Sequence, residues 1–292
     1  MKTLGYWIEA MRLRTLPVSV AGVVMAVAFS FVHHNFNPAP AVICLIFAVL
    51  CQIASNFTNE YFDFKAGRDR QGREGPRRGV TEGEITPGAM KKAIYLTLLL
   101  AGCFGLSLVG WGGWWLVAVG AFIALGVFAY SAGPYPLSTH GWGEVGVVFF
   151  FGLIPVNFTY YVQTLQCDLG VALASLAMGL MGANVLIINN YRDMEDDRAV
   201  DKKTLCVRLG RPAMRGLYLA NALVAVLLLI PMWRALGWPS MAVAVACVVC
   251  ANLIVLQMSR REGRALTPLL GMTSVLMFGV ALLCLLLAAF TL

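Results

Sequence analysis

Two short acidic motifs, each with an Asn and an Asp four residues apart, could bind a metal ion at the ends of apolar helices. The first motif comprises Asn59, Asp63 and, six residues further on, Asp69, and the second comprises Asn189, Asp193 and Asp197. Side chains four residues apart lie on one face of a helix, about one turn apart. Each motif therefore predicts a column of oxygen atoms, called a ladder below. Carboxylate and amide oxygens suit Mg²⁺, which fills its remaining positions with water and phosphate oxygens.

A ladder of acidic side chains also has a simpler interpretation, in which the carboxylates face water at a helix end. Like charges four residues apart destabilise a helix, and they are less favourable still beside a bilayer. Solvation explains one ladder, but it does not explain why the same spacing occurs twice. The repeated pattern therefore favours a divalent cation.

Basic residues are interleaved with both ladders. The candidates for phosphate binding are Lys65, Arg73, Arg78, Arg192, Arg198 and Lys202. Arginine holds phosphate oxygens through two parallel hydrogen bonds, and lysine holds them as a point charge. Acidic ladders that hold Mg²⁺ within a ring of basic residues predict a diphosphate site. At a membrane surface, such a site suggests a polyprenyl diphosphate whose tail lies in the bilayer or between helices.

The composition indicates which elements position these residues. Of the 292 residues, 59% are hydrophobic and 13% are charged, whereas soluble domains average roughly 25% charged residues. Apolar runs of about 20 residues are long enough to cross a bilayer as helices. We predict an all-α polytopic membrane protein that forms a single domain, 1–292. The nine expected spans are 16–36, 39–62, 89–110, 113–131, 144–165, 168–191, 213–234, 239–258 and 268–290.

The basic residues also predict the orientation of the chain. All 22 Lys and Arg residues except Arg234 lie in the N-terminal segment or at loops on one predicted side. The positive-inside rule places that side in the cytoplasm, together with loops 64–88 and 193–212, and places the C-terminus outside. Topology and anionic lipid explain the net charge of +7, so no nucleic-acid partner is expected.

The motifs resemble those of one enzyme family. "NEYFDFKAGRD", "REGPRRG" and "INNYRDMEDDRAVDKKTLCVRLG" resemble the UbiA superfamily of intramembrane prenyltransferases, and within it the 1,4-dihydroxy-2-naphthoate polyprenyltransferases of menaquinone synthesis. "RLRTLPVSVAG" and "AYSAGPYPL…GWGEVGVVFFFG" are similar as well. One departure is Asp201, which occupies a position where the family pattern has glycine. Asp201 is therefore interpreted as a loop residue and not as a ligand.

The resemblance implies a helical bundle around a central cavity, with cytoplasmic cap loops or helices and a lateral opening for the prenyl chain. It implies that both ladders hold Mg²⁺ on the diphosphate in the bacterial cytoplasmic (inner) membrane. By the same resemblance, phosphate oxygens are bound by Arg73, Arg78, Arg192, Arg198 and Lys202. The acceptor would be 1,4-dihydroxy-2-naphthoate, and the prenyl group would replace its carboxyl group, with loss of CO₂ and diphosphate.

The catalytic candidates are Asp63 and Asp193 of the ladders, together with Tyr130 and Glu144. An allylic cation can be stabilised by an aromatic face, which suggests Tyr130 or Tyr135. Tyrosine also collects at membrane interfaces without any catalytic role. Glu144 could serve the acceptor, or it could be a carboxylate favoured by the dipole at a helix start.

Two other functions remain open. Another aromatic acceptor, such as 4-hydroxybenzoate, would use the same aspartate motifs. A membrane transporter would also carry ionisable residues within its spans. Here the acidic residues lie at helix ends on one side, which argues against a transmembrane pathway. Prenyl chain length, the number of Mg²⁺ ions and the oligomeric state are not predicted.

Overall fold

The computed structural model describes residues 2–72 and 75–291, and this part of the chain contains helices and turns but no strands. The prediction of an all-α protein is confirmed. The helices are α1 (Lys2–Met11), α2 (Leu16–Val32), α3 (Pro38–Lys65), α4 (Pro87–Ser107), α5 (Val109–Gly112), α6 (Leu116–Ala129), α7 (Gly143–Val147), α8 (Ile154–Thr164), α9 (Leu169–Arg192), α10 (Met194–Ala199), α11 (Leu205–Leu228), α12 (Ile230–Leu236), α13 (Trp238–Arg260) and α14 (Thr267–Thr291).

Seven helical segments in the described residues are long and apolar enough to cross a membrane, which makes the chain a multi-pass membrane protein. They are Leu4–Val32, Pro38–Lys65, Pro87–Gly112, Gly143–Thr164, Leu169–Arg192, Pro239–Arg260 and Gly263–Phe290. The pair α11 and α12 forms an eighth candidate, bent by 48°. Helix α6 has 14 residues, fewer than the roughly 20 that span a bilayer. The count of nine spans therefore stays a prediction.

Prolines and capping side chains set where several helices begin. Pro87 is the first residue of α4, and Thr86 before it accepts a hydrogen bond from the Ala89 amide at 3.2 Å. Proline suits this position because the first amides of a helix have no helical partner. Pro212 lies within α11, just after Gly210, where the backbone leaves helical geometry at φ 80°. The predicted span 213–234 therefore begins in the second part of α11.

The main hydrophobic core lies between α2, α9, α11, α13 and α14. Small residues allow close crossing in this region: a Cβ built on Gly152 would overlap the backbone of α9 at Gly179. Such crossings are typical of membrane helices, whose association depends on tight packing. Helices α3, α4, α6 and α8 form smaller apolar clusters. The two parts of the bundle therefore differ in packing.

Both ladders lie at the same end of the bundle. The first is at the end of α3 and runs into the first cap segment (residues 66–86), and the second is at the end of α9 and runs into the second cap segment (residues 193–204). Lys202 of the second cap segment pairs with Asp63 of α3 at 3.1 Å, and the two segments meet through the ion pair from Arg70 to Asp196 at 3.1 Å. Within the predicted cap region 193–212, α10 forms, and Thr204 caps α11 at Leu205.

Candidate active site

Asp63 of the first ladder is covered by basic side chains. Its carboxylate is fully buried and pairs with the Arg68 guanidinium at 3.2 Å and with Lys202 Nζ at 3.1 Å. A third cation, Arg78, lies 4.0 Å from the same carboxylate. A buried carboxylate requires such compensation. Asp63 of the first ladder therefore pairs with basic side chains from both cap segments.

Asn59 links this ladder to the N-terminal part of the chain. Its side-chain oxygen accepts hydrogen bonds from Arg12 and Arg78, each at 3.0 Å, and its nitrogen donates to the Ser131 hydroxyl at 3.0 Å. Arg12 was not among the predicted site residues. It lies between α1 and α2 in a left-handed conformation with φ 53°, and its place in the quoted motif "RLRTLPVSVAG" was the available signal.

The first cap segment carries Arg78 into the site and is fixed to α3 by a buried glutamate. Arg78 is 5% exposed, and its Nε lies 3.4 Å from the buried Asp69 carboxylate. Two residues later, the Val80 amide donates to Glu60 Oε1 at 3.0 Å. Glu60 is fully buried. The sequence analysis missed Glu60 although it follows Asn59 directly, because its partner lies 20 residues away.

The second ladder is compensated mainly by its own neighbour. Arg192 donates to both Asp193 oxygens, at 2.6 and 3.0 Å, and to the Asn189 oxygen at 3.0 Å. Asp197 is buried, and its backbone oxygen accepts from the Lys202 amide at 2.9 Å. Arg192 thus binds Asn189 and Asp193 of its own ladder. The backbone carbonyl of Asp197 closes the turn that places Lys202 beside Asp63.

The structure does not bring every predicted residue to this cluster. Lys65 is exposed at the end of α3, and Arg198 forms an exposed ion pair with Glu195 at 2.6 Å. Arg73 lies outside the described residues. Asp201 has φ 52° and an exposed side chain, in agreement with its interpretation as a loop residue. Glycine is favoured there because it adopts the left-handed conformation without strain.

A polar cavity of about 160 Å³ lies at the cap end of the bundle. Six of the residues predicted to bind metal or phosphate line this cavity: Asn59, Arg78, Asn189, Asp193, Asp197 and Lys202. All three members of the second ladder face this cavity, whereas Asp63 lies behind Lys202. No group of three acidic, His or Cys side chains able to hold a metal occurs in residues 2–72 and 75–291. Mg²⁺ typically needs only one or two carboxylates when phosphate oxygens complete its shell, so the oxygen donors fit.

An apolar cavity of about 400 Å³ adjoins the polar one between α3, α4, α6 and the helix Gly143–Thr164. Five residues line both cavities: Gln52, Ser55, Tyr130, Val147 and Phe151. A molecule with an anionic head and a long apolar tail would therefore find a continuous site. The reacting carbon, next to the head, would lie near this shared wall.

Tyr130 contributes its aromatic ring to the shared wall. A Cβ built on Gly143 would lie 3.5 Å from the Tyr130 hydroxyl, so the phenol sits against the start of α7. Tyr135, the other aromatic candidate, is 56% exposed and stacks on His140 instead.

Glu144 is held by a residue that the sequence analysis passed over. The Asn190 side chain donates to Glu144 Oε1 at 2.9 Å, and both residues are buried. Glu144 Oε2 has no hydrogen-bond partner among the described residues. Asn190 lines the polar cavity beside Asn189. Because Asn190 follows a ladder residue, the repeat of asparagine in "INNYRD" was the only sequence signal.

Comparison with known proteins identifies the family of the chain. The sequence model of the UbiA prenyltransferase family matches residues 16–265. The chain belongs to the UbiA prenyltransferase family. The match includes both ladders, both cap segments and Tyr130.

Individual UbiA relatives align along most of the chain. It is 32% identical to the 1,4-dihydroxy-2-naphthoate octaprenyltransferase of Haemophilus influenzae, over 94% of this chain and 92% of the relative. It is 35% identical to the enzyme of that name from Mycobacterium tuberculosis, over 97% and 96%. The solved structure of a UbiA homologue from Archaeoglobus fulgidus bound to DMAPP and Mg²⁺ has the same fold, with a TM-score of 0.64 at 14% identity, covering 96% of this chain and 99% of that one.

Proposed function

We propose that the chain transfers a polyprenyl group from a polyprenyl diphosphate to 1,4-dihydroxy-2-naphthoate, with loss of CO₂ and diphosphate, and so forms a demethylmenaquinol for menaquinone synthesis. The observation that carries this proposal is the polar cavity, lined by acidic and basic side chains, that meets an apolar cavity at Tyr130. The relatives named octaprenyltransferases support the naphthoate acceptor.

The diphosphate would bind in the polar cavity. Arg78 and Lys202 would hold phosphate oxygens, and Asn59, Asn189, Asp193 and Asp197 would face the metal. A bound Mg²⁺ would neutralise charge on the departing diphosphate. Its use is supported by the oxygen donors and by the homologue bound to Mg²⁺. Asp63 would join the metal site if Lys202 moved from its carboxylate to the phosphate.

Bond breaking places negative charge on the diphosphate and positive charge on C1 of the prenyl group. Preorganised Arg and Lys side chains stabilise the negative charge on the diphosphate in a site that excludes water. The Tyr130 ring, at the shared wall, would stabilise the positive charge on C1, by roughly 2 kcal/mol for a desolvated aromatic ring. C1 then forms a carbon–carbon bond with the acceptor ring, and the electron pair of the ring–carboxyl bond stays on the ring as CO₂ leaves.

Glu144 would orient the acceptor through a phenolic hydroxyl. Its Oε1 is already fixed by Asn190, and its Oε2 is available to accept a hydrogen bond. A carboxylate with one fixed oxygen and one free oxygen suits such a role, because buried acceptors are nearly always satisfied. Asn190 would act as a positioning residue.

We also infer that the whole chain, 1–292, works as one nine-span transmembrane domain in the bacterial cytoplasmic membrane. The N-terminus and both cap segments would face the cytoplasm, where the charged diphosphate and the naphthoate would enter. The distribution of basic residues supports this orientation.

The test is prenyl transfer by the purified protein in detergent. The assay would combine octaprenyl diphosphate with 1,4-dihydroxy-2-naphthoate or with 4-hydroxybenzoate, each with Mg²⁺ and with EDTA. We expect a Mg²⁺-dependent product and CO₂ from the naphthoate. A product from 4-hydroxybenzoate alone would contradict the acceptor, and no product with any acceptor would contradict the reaction.

A further inference from the structure

A buried glutamine on α3 has an oxygen without a hydrogen-bond partner at the boundary between the two cavities. Gln52 is 7% exposed, and it lines both the polar and the apolar cavity. Its Oε1 accepts no hydrogen bond from the described residues. Because buried acceptors are nearly always satisfied, an oxygen of this kind in the wall of a binding cavity indicates a donor on the bound molecule.

Neighbouring hydrogen bonds determine which atom of the Gln52 amide is left without a partner. Asn56 Nδ2 donates to the Met11 backbone carbonyl at 2.9 Å, so the Asn56 oxygen faces Gln52 and accepts from its Nε2 at 3.3 Å. Thr15 donates its hydroxyl hydrogen to the Arg12 carbonyl at 2.9 Å and therefore also accepts from this Nε2, at 3.2 Å. With the amide reversed, its oxygen would face two acceptors. The atom without a partner is therefore the oxygen.

The position of Gln52 on α3 separates it from the proposed metal and diphosphate. Gln52 precedes Asn59 by seven residues on the same helix, which corresponds to about 10 Å along the helix axis. The diphosphate is an anion and the prenyl group is a hydrocarbon, so neither supplies a donor. The naphthoate carries two hydroxyl groups, and it is therefore the substrate that can donate to Gln52 Oε1.

The two hydroxyl groups of 1,4-dihydroxy-2-naphthoate lie at opposite ends of one ring and differ in the reaction. The 1-hydroxyl is next to the reacting carbon C2 and becomes more acidic as the new bond forms, which suits the carboxylate of Glu144. The 4-hydroxyl is meta to C2, so it stays a neutral donor and suits an amide oxygen. Glu144 belongs to α7, whose Gly143 and Gly146 lie against Tyr130. Gln52 lines the shared wall from α3.

We propose that Gln52 is a specificity-determining residue that accepts a hydrogen bond from the 4-hydroxyl of the naphthoate. This inference rests on the proposed prenyl transfer. With the 4-hydroxyl on Gln52 and the 1-hydroxyl on Glu144, the ring is held at both ends, and C2 faces the prenyl carbon at the shared wall. An aromatic acceptor with a single hydroxyl, such as 4-hydroxybenzoate, leaves one of the two acceptor oxygens unpaired and is therefore disfavoured.

The first test compares kcat/KM for 1,4-dihydroxy-2-naphthoate and for 1-hydroxy-2-naphthoate, which lacks only the 4-hydroxyl. Gln52→Met and Gln52→Leu remove the acceptor oxygen and should each lower the ratio of the two kcat/KM values about tenfold relative to the unsubstituted protein. The different reactivities of the two rings cancel in this comparison, because every variant meets the same two acceptors. A ratio that is unchanged in both variants would overturn the contact.

Gln163→Met is the matched control. Gln163 on α8 also has an Oε1 without a partner among residues 2–72 and 75–291, and its Nε2 donates to the Thr159 carbonyl at 2.9 Å. It lines neither of the two cavities. This variant should leave the ratio unchanged. An equal fall in the ratio for Gln163→Met would show that the ratio reports a general disturbance of the helices, which would also overturn the contact.

The second test does not depend on turnover. Isothermal titration calorimetry in detergent, without oxygen and with an unreactive prenyl thiolodiphosphate and Mg²⁺, measures Kd for each of the two naphthoates. The unsubstituted protein should bind the dihydroxy compound about tenfold more tightly than the monohydroxy compound, and Gln52→Met should bind both with similar Kd. Equal affinities in the unsubstituted protein would overturn the contact. Selective binding that depends on Gln52, without any prenyl transfer, would support the contact and contradict the proposed reaction.

Discussion

The two ladders begin with the same Asn–Asp spacing in the sequence, but their aspartates have different environments in the structure. The second ladder faces the polar cavity with Asn189, Asp193 and Asp197, and Arg192 from its own helix compensates it. In the first, Asp63 is covered by Arg68 and Lys202. The difference shows that equal spacing does not imply equal access: one ladder is open to a ligand, and the other also holds the cap segments together.

The largest effects are expected at the two aspartates. Asp63→Asn and Asp193→Asn should each lower turnover by at least about a hundredfold, because each removes a charge that organises the diphosphate site. Only Asp63→Asn should also loosen the second cap segment, since Lys202 loses its partner. Hydrogen exchange of residues 193–204 would measure this. Equal exchange in both variants would contradict the distinction between the ladders.

The next largest loss of turnover is expected at one of two basic residues of the second cap segment, Lys202, and not at the other, Arg198. Lys202→Ala should lower turnover by about tenfold or more, because Lys202 is buried against Asp63 and lines the polar cavity. Arg198→Ala serves as the matched control. Arg198 is exposed and pairs with Glu195, so its loss should change turnover by less than about twofold. Similar losses in steady-state assays of both variants would show that the exposed arginine reaches the substrate.

Glu60 allows a test of how the first cap segment is held. Glu60→Ala leaves the Val80 amide without its acceptor, a loss of about 1–3 kcal/mol for a buried group. Because Arg78 lies two residues before Val80, we expect KM for the prenyl diphosphate to rise more than kcat falls. Glu60→Gln keeps an acceptor oxygen and should restore KM. A Gln variant as impaired as the Ala variant would indicate that the charge of Glu60 matters instead.

The smallest effect is expected at Asp201, and it concerns stability. Asp201 has a left-handed backbone, which costs a non-glycine residue roughly 1 kcal/mol. Asp201→Gly should therefore leave turnover unchanged and raise the thermal midpoint slightly or leave it unaltered. Thermal unfolding in detergent, with Asp201→Ala as a control that cannot relieve the strain, would measure this. A loss of turnover in the glycine variant would assign Asp201 to the site.

The sequence predicted the helical class and the ladders because both depend on local patterns. Apolar runs predict helices, and spacing of four places Asn59 and Asp63 on one face. The partners of these residues could not be predicted, because they are distant in the chain: Lys202 lies 139 residues from Asp63, and Ser131 lies 72 residues from Asn59. Pairs of this kind form only between helix ends that lie close together, and the packing of the helices determines which ends do so.

The surroundings of three neighbouring phenylalanines could not be predicted for a related reason. Phe149, Phe150 and Phe151 are identical in type, and nothing in their order shows that Phe149 is exposed whereas Phe150 and Phe151 line the apolar cavity. The π-helical turn Val148–Leu153 separates them, and it is visible only once the helix is built. Arg12 and Asn190, in contrast, lie within motifs that the sequence analysis quoted.

The apolar cavity is lined by helices that are apolar enough to cross a membrane, and this has a consequence for substrate partitioning. A prenyl tail that enters this cavity leaves lipid rather than water, and lipid chains are as apolar as the leucine and valine side chains that receive it. Moving the tail therefore releases little solvation free energy. With concentration expressed per lipid, each added isoprene unit should tighten binding only weakly, so the free energy that selects the substrate comes chiefly from its diphosphate.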